Sequence, residues 1–237
     1  MKIETLSYIT FLTELLPFFF FLFNLKKIKE KDLKVFFIYL TLLFVLVLPV
    51  FYFRYISPSS IPRLIFLRIF LIVEFVSISL VFYYNINKKL IKKIILIVPW
   101  FFILFSVYDY VDSTKGQFSY IPLAVECLIL VIYIIYFFFE KIQINTPTPI
   151  YTTHIFWIAV AFIFYCSGNF FLFLYSNVAI KNEQFQNQYT VIYSTFTILK
   201  NILLCLGISL NSSEQIYKQP IFFIQDNTLG FNLNSKN

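Results

Sequence analysis

Charged residues are scarce in this chain of 237 residues, in which 13% of the side chains are charged and 59% are hydrophobic. Soluble domains contain about 25% charged and about 45–50% apolar residues. A water-soluble fold of this size could not bury so much apolar surface. The composition therefore argues against a soluble enzyme, a nucleic-acid-binding domain, a disordered chain and a disulfide scaffold. It predicts a polytopic membrane protein.

Glycine is the second shortage, with four residues where roughly 7% of a chain is usual. Close GxxxG contacts between helices are therefore not available, and we expect the helices to pack through large side chains and a few polar contacts. The three cysteines, Cys127, Cys166 and Cys205, fall inside apolar stretches and form no CxxC motif. They are expected to act as small packing residues and not as disulfides.

Catalytic motifs are also missing from the sequence. It contains no P-loop, GxGxxG, HExxH or GxSxG pattern, and its single histidine, His154, has no metal-ligand partners at a recognisable spacing. We therefore expect no catalytic residue, no metal site and no cofactor. His154 is predicted to lie at the end of a span, where its side chain reaches water. Asp109 and Asp112 are predicted to be solvated at the end of another span.

Apolar runs, in contrast, fill most of the chain. A bilayer core of roughly 30 Å requires about 20 apolar residues per helix. Seven such stretches follow one another, separated by short polar segments, and they predict an all-α bundle of seven transmembrane helices. The predicted spans are about 7–24, 35–53, 62–84, 94–111, 118–139, 154–176 and 189–210, and residues 211–237 are predicted to form a tail.

Lysines indicate the orientation of the bundle. They are concentrated in the segments that follow the first and third spans, namely Lys26, Lys27, Lys29, Lys31, Lys34, Lys88, Lys89, Lys92 and Lys93. The positive-inside rule then predicts an outside N-terminus and a cytoplasmic tail, in what we expect to be the cytoplasmic membrane of a bacterium. The net charge of +7 is thereby explained by topology and by attraction for anionic lipid headgroups. It does not indicate a nucleic-acid partner.

A small set of polar residues falls at membrane depth, where a charge costs more than about 2.5 kcal/mol and usually faces the interior of a bundle. Depth follows from a rise of about 1.5 Å per residue. Glu74 and Lys200 are placed near the midplane by this estimate. The candidate binding residues are Glu14, Arg68, Glu74, Glu126, Tyr165, Asn169, Lys200 and Asn201.

Similar depth predicts how the buried charges pair. Lys200 is expected to pair with Glu74. Arg68 lies nearer the outer face and is expected to pair with Glu14 or Glu126, which leaves one carboxyl group that we expect to hold a proton. Two interpretations are open. The pairs either fix the helix register or line a polar pocket that opens to the outer face and binds a ligand, a proton or an ion.

The architecture resembles that of microbial rhodopsins, which share the chain length, the seven spans, the outside N-terminus and a lysine midway along the last helix. The resemblance would make Lys200 the carrier of a retinal Schiff base and Glu74 its counterion. The sequence motifs of that family are missing. Phe196 stands where those proteins have an acidic residue four positions before the lysine, and Val160 and Ala161 replace the Tyr and Pro of the W-x-x-Y-P signature.

Several short runs also resemble uncharacterised small seven-helix bacterial integral membrane proteins. The runs are Leu71-Ile-Val-Glu-Phe-Val-Ser-Ile-Ser79, Phe156-Trp-Ile, Tyr165-Cys-Ser-Gly168 and Leu199-Lys-Asn-Ile-Leu203. The resemblance implies that Glu74, Lys200 and Asn201 are features of that group. Some of its members are encoded beside sensor kinases, which implies a cytoplasmic signalling partner.

These observations predict a sensory or accessory membrane protein, with an outward-facing polar pocket coupled to a cytoplasmic partner. Small size, the lack of a catalytic domain and charges toward the outer face favour this function. The alternative is a small proton-coupled or facilitative transporter, for which buried carboxyl groups and helix-interrupting prolines such as Pro17 and Pro99 are suited. A membrane enzyme that acts on lipid is a third class, but the sequence contains no paired catalytic residues at usable spacing.

Overall fold

The structure is a computed structural model that describes residues 3–24, 30–57, 59–112, 119–143, 149–179 and 182–210. Seven helices within these ranges are long and apolar enough to cross a membrane, and no strand occurs among the described residues. The predicted all-α architecture with seven candidate membrane helices is thereby confirmed. The predicted tail, residues 211–237, lies outside the part of the chain that the structure describes.

Short connections join the seven helices. They are α1 (Ile3–Phe23), α2 (Lys31–Phe51), α3 (Ser60–Asn85), α4 (Lys89–Asp112), α5 (Ile121–Gln143), α6 (His154–Ala179) and α7 (Glu183–Ser209). A π-helical turn at Tyr52–Ile56 continues α2, and a 3₁₀ turn at Ile150–Thr152 precedes α6. Each helix overlaps one predicted span, because a backbone that crosses a bilayer must satisfy its hydrogen bonds within its own helix.

The bundle has two distinct ends. The odd-numbered helices begin at one, which we call the odd-helix end, and the even-numbered helices begin at the other, the even-helix end. At the odd-helix end, the Asn182 side chain caps α7 by accepting hydrogen bonds from the backbone N–H groups of Gln184 and Phe185.

Pro49 lies near the odd-helix end of α2, shortly before the π-helical turn. A proline removes one backbone hydrogen bond, and π-helical turns are common at functional sites.

Six helices form a ring, in which α1, α2, α3, α5, α6 and α7 each pack against the next and α7 closes on α1, and α4 lies outside the ring against α3 and α5. α7 packs against α1 and α6, and α3 packs against α2, α4 and α5. The interior is rich in fully buried aromatic side chains, among them Tyr39, Phe75, Phe82, Phe137, Phe162 and Phe173. α4 is peripheral and exposes large apolar side chains, namely Trp100, Phe101, Leu104, Tyr108 and Val111. A lipid phase solvates such a surface as well as a protein interior does.

Two glycines, Gly168 and Gly207, lie where α6 and α7 contact each other. A Cβ atom at Gly168 would lie 2.4 Å from the Phe196 ring, and one at Gly207 would lie 3.2 Å from the carbonyl oxygen of His154. Large side chains fill most of the bundle, in line with the composition. The α6–α7 contact nevertheless leaves little room for a larger residue at these two points.

Candidate functional site

The predicted pair between Lys200 and Glu74 is present in the middle of the bundle. The Lys200 ammonium donates a hydrogen bond of 3.0 Å to Glu74 Oε1, and the Tyr39 hydroxyl donates one of 2.9 Å to the same oxygen. Lys200 is 4% exposed and Glu74 is 3% exposed. The ammonium also lies 4.3 Å from the centre of the Tyr165 ring, within the range of a cation–π contact. These contacts join α2, α3, α6 and α7 at one point.

The predicted partner of Arg68 is wrong, because Arg68 pairs with neither Glu14 nor Glu126. Its Nη2 atom donates a hydrogen bond of 2.8 Å to Asp109 Oδ2 on α4. The Asp109 side chain is 14% exposed, and Ser119 donates a hydrogen bond of 2.9 Å to its other oxygen. The prediction that Asp109 is solvated is therefore also wrong. Several acidic residues lie at a similar depth to Arg68 in the bundle. Asp109 is its partner because α4 packs beside α3.

A cavity of about 530 Å³ lies between the helices in the half of the bundle nearer the odd-helix end. We call its outer part, lined by Arg54, Arg63 and Tyr120, the mouth, and its inner part the base. The base is lined by three carboxylate side chains and a phenol, Glu14, Glu74, Glu126 and Tyr165. The structure therefore brings four of the eight candidate residues together around one space.

The other four candidate residues lie outside the lining of the cavity. Lys200 is adjacent to it through its hydrogen bond with Glu74. The Asn169 side chain donates to the carbonyl oxygen of its own helix one turn earlier. The Asn201 side chain donates a long hydrogen bond of 3.4 Å to Thr13 Oγ1, which links α7 to α1. Arg68 faces α4, so it belongs to a structural contact at the edge of the bundle.

Two carboxyl groups at the base, those of Glu14 and Glu126, have no ion-pair or hydrogen-bond partner among the described residues. Glu126 is 5% exposed, and its Oε1 atom is buried without a partner. The cation at the same level, Lys200, is hydrogen-bonded to Glu74 instead. An unpaired carboxylate in an apolar setting is costly, so the base has an unused capacity to bind a proton or a cation.

Sequence reasoning missed the residues of the mouth. In the sequence, Arg54 and Arg63 flank the short connection between the second and third predicted spans. There they add only to the count of positive charges on one side of the membrane. Tyr189 and Tyr193 also line the cavity, and their rings stack with centroids 5.9 Å apart. Their spacing of four residues places both on one face of α7, and this is the signal from which the aromatic wall could have been inferred.

A second polar cluster lies at the even-helix end. His154 is 3% exposed, so the prediction that it reaches water is wrong. Its Nε2 atom lies 2.7 Å from Asp32 Oδ2 and 3.7 Å from Glu30 Oε2, and Asn85 donates a hydrogen bond of 2.8 Å to Asp32. Possible metal-ligand atoms of Glu30, Asp32 and His154 lie within 4.8 Å of one another. The cluster also ties the start of α2 and α6 to the end of α3, which accounts for its burial.

The cavity has the size and the lining of a small-molecule site. Such sites typically measure about 300–1,000 Å³ and combine apolar walls with a few polar groups. Here aromatic and aliphatic side chains surround the charged groups. No protein-family model, no curated protein and no solved structure matches the chain, so the cavity is interpreted from its own residues.

Proposed function

We propose that this multi-pass membrane protein is a sensory or accessory protein, which binds a small ligand in the cavity and transmits the change to a cytoplasmic partner. The observation that carries the proposal is the position of Glu74. This residue lines the cavity and accepts hydrogen bonds from Lys200 and Tyr39. A ligand that contacts Glu74 therefore acts on α2, α3 and α7 at once.

The shared oxygen of Glu74 explains how binding would be coupled to helix movement. A ligand that takes part of the negative charge of Glu74 weakens its hydrogen bond with Lys200. The ammonium then favours a different position, and α7 moves with it against α1 and α6, its neighbours in the bundle. The protein then has two arrangements of α7, one without ligand and one with it. The change in their populations is set by the difference in ligand affinity between them.

The lysines favour a cytoplasmic even-helix end. The described lysines at this end lie at the starts of α2 and α4 and at the end of α5, and they are Lys31, Lys34, Lys88, Lys89, Lys92, Lys93 and Lys141. The positive-inside rule associates such clusters with the cytoplasmic side. The mouth of the cavity would then face outward, and a partner would contact the lysine-rich connections or the tail.

Gentle purification from the native membrane tests the proposal. The wild type, a Lys200→Met variant and a Glu183→Gln control are purified in parallel, and mass spectrometry identifies what accompanies each protein. Glu183 is exposed at the odd-helix end, outside the cavity lining and far from the lysine-rich connections, so its variant controls for the loss of one charge. We expect a stoichiometric cytoplasmic protein or small molecule with the wild type and the control, and its loss from Lys200→Met. Unchanged ligand binding in a Lys200→Met, Glu74→Gln double variant would contradict the proposed pocket.

A small transporter is the second candidate function. It is favoured by the two unpaired carboxyl groups at the base, because buried carboxyl groups are typical of proton relays. In proteoliposomes, a proton-coupled transporter would produce a pH change that depends on its substrate. Sealed vesicles without flux for a broad substrate panel, combined with a stoichiometric cytoplasmic partner, would leave the sensory function.

A further inference from the structure

The charges around the cavity are separated by depth. The mouth contains Arg54 and Arg63, and the base contains Glu14, Glu74 and Glu126. Arg63 and Glu74 lie about 16 Å apart along the axis of α3, at 1.5 Å of rise per residue. Since Lys200 already pairs with Glu74, the cavity has a cationic mouth and a base that holds two further carboxyl groups.

The base can bind a cation. Glu126 Oε1 is buried without a hydrogen-bond partner, and Glu14 faces the same space from α1. A buried carboxylate gains most from a donor that carries charge, because charge-assisted hydrogen bonds are shorter and stronger than neutral ones. Since Lys200 is hydrogen-bonded to Glu74, a ligand ammonium group fits this position.

The mouth favours an anion. Among the described residues, no acidic side chain forms an ion pair with Arg54 or Arg63. The Arg54 guanidinium lies 5.1 Å from the centre of the Tyr55 ring, which fixes its position without neutralising it. Burial raises the pKa of the Tyr120 phenol, although Arg63 and Arg54 act in the opposite direction. Tyr120 is therefore a neutral hydroxyl at neutral pH and leaves the positive charge of the arginines in place.

The walls between mouth and base are mostly apolar and aromatic, and Thr10, Thr190 and Ser194 add hydroxyl groups to the lining. Leu67, Phe70 and Leu71 line them from α3, and Tyr189 and Tyr193 line them from α7. Such walls suit a short hydrocarbon segment, and aromatic faces near the base also attract a cation. Along the cavity, arginines at the mouth are thus followed by mostly apolar walls and then by carboxyl groups at the base.

We propose that the ligand is a small zwitterion, whose amine binds Glu14 and Glu126 at the base and whose anionic group binds Arg54 and Arg63 at the mouth. The inference rests on the proposed function, in which this cavity binds a ligand. The same chemistry is present in free amino acids with a separated amine and carboxylate and in zwitterionic lipid headgroups.

Three matched molecules test the ligand class. They are 6-aminohexanoate, which has both charges, hexylamine, which has only the amine, and hexanoate, which has only the carboxylate. Binding to the purified full-length protein is measured by calorimetry at neutral pH. We expect 6-aminohexanoate to bind about 10-fold more tightly than either half-molecule, the usual effect of one charge-assisted hydrogen bond. Equal affinity for all three, or no saturable binding of any, would overturn the proposal.

Two variants assign the ends of the ligand. Glu126→Gln should weaken 6-aminohexanoate and hexylamine by about 10-fold and leave hexanoate unchanged. Arg63→Gln should weaken 6-aminohexanoate and hexanoate and leave hexylamine unchanged. The molecule that keeps its affinity shows in each case that the variant is folded. A matched control is Glu183→Gln, because Glu183 is exposed at the start of α7. A variant that weakens all three molecules equally would contradict the assignment.

Lipid bilayers separate the two sources of a zwitterion. The affinity for 6-aminohexanoate is measured in nanodiscs of phosphatidylglycerol and in nanodiscs of phosphatidylethanolamine, which has an amine and a phosphate in its headgroup. Weaker binding in phosphatidylethanolamine would identify competition by the lipid, and equal binding would identify a free molecule.

If a co-purified compound is retained through Lys200 but no zwitterion is preferred, the ligand class fails while the proposed function stands. If no compound is retained through Lys200 and no zwitterion is preferred, the ligand class and the proposed function both fail.

Discussion

The Glu74–Lys200 pair should be strongly coupled in its effect on stability. Glu74→Gln leaves the Lys200 ammonium buried without a carboxylate, and Lys200→Met leaves the carboxylate buried without a cation. Each unpaired group can become neutral by exchanging a proton with water at pH 7. From reference pKa values of about 10.4 for an ammonium and about 4.3 for a carboxyl group, this costs about 4.6 and about 3.7 kcal/mol. Single substitutions should therefore cost no more than these values, within the usual range of about 3–5 kcal/mol for breaking a buried pair.

The double variant should lose much less than the sum of the single variants. Glu74→Gln together with Lys200→Met removes both charges, and the new amide oxygen can still accept the hydrogen bond from Tyr39. We expect a cost of about 1 kcal/mol, the size of an ordinary polar contact between membrane helices. Single costs of about 3 kcal/mol each and a double cost of about 1 kcal/mol give a coupling energy of about 5 kcal/mol.

Reversible unfolding in mixed micelles, with SDS as the denaturant, measures the free energy of unfolding of the wild type, the two single variants and the double variant. Glu183→Gln and Lys93→Met are the matched controls, because both residues are exposed. Both controls should stay within about 0.5 kcal/mol of the wild type. A double variant whose cost equals the sum of the two single costs would refute the reasoning, since independent sites add.

Three further substitutions concern contacts between helices. Gly168→Ala places a Cβ atom 2.4 Å from the Phe196 ring, so we expect a loss of about 1–3 kcal/mol and partial rescue by Phe196→Leu in thermal unfolding. Asp109→Asn removes the charge that binds Arg68 at 2.8 Å and should cost about 1.5–3 kcal/mol, measured as a lower unfolding midpoint. Asp32→Asn should cost a similar amount and increase hydrogen exchange at the even-helix end, where the polar cluster would loosen.

The two aspartate substitutions share one control, and each of these predictions can be contradicted by its own result. Asp112→Asn is matched to both aspartate substitutions, because Asp112 is exposed at the end of α4. If Asp109→Asn is as stable as this control, the ion pair with α4 does not contribute to the fold. Full stability of Gly168→Ala would show that α6 and α7 separate at that point without cost.

The amino-acid sequence was sufficient for the number of helices and for the central pair. Apolar runs of sufficient length predict membrane helices with little ambiguity, because a bilayer allows few other structures. Glu74 and Lys200 could be matched because they lie at similar depth and carry opposite charge. Depth is a one-dimensional property that residue counting supplies.

Lateral neighbours could not be predicted in the same way. Arg68 has several possible partners at its depth, and Asp109 is selected only because α4 packs against α3. His154 meets Asp32 across 122 positions of the chain, at an end where either side chain could equally face water. Arg54 belongs to the cavity because a π-helical turn extends α2 at that point, and periodicity does not reveal such a turn.

The pair that fixes the centre of the bundle also affects how the chain is made. Glu74 and Lys200 are separated by 126 positions, and during synthesis α3 enters the membrane before α7 exists. Throughout that interval the carboxyl group has no cation, which is costly in an apolar phase. A chain that stops before α7 never gains the ammonium, so its Glu74 carboxyl group keeps only the Tyr39 hydroxyl as a partner among the contacts described at this point. Helix α7 therefore supplies the cation that completes the polar contact made earlier in synthesis by α2 and α3.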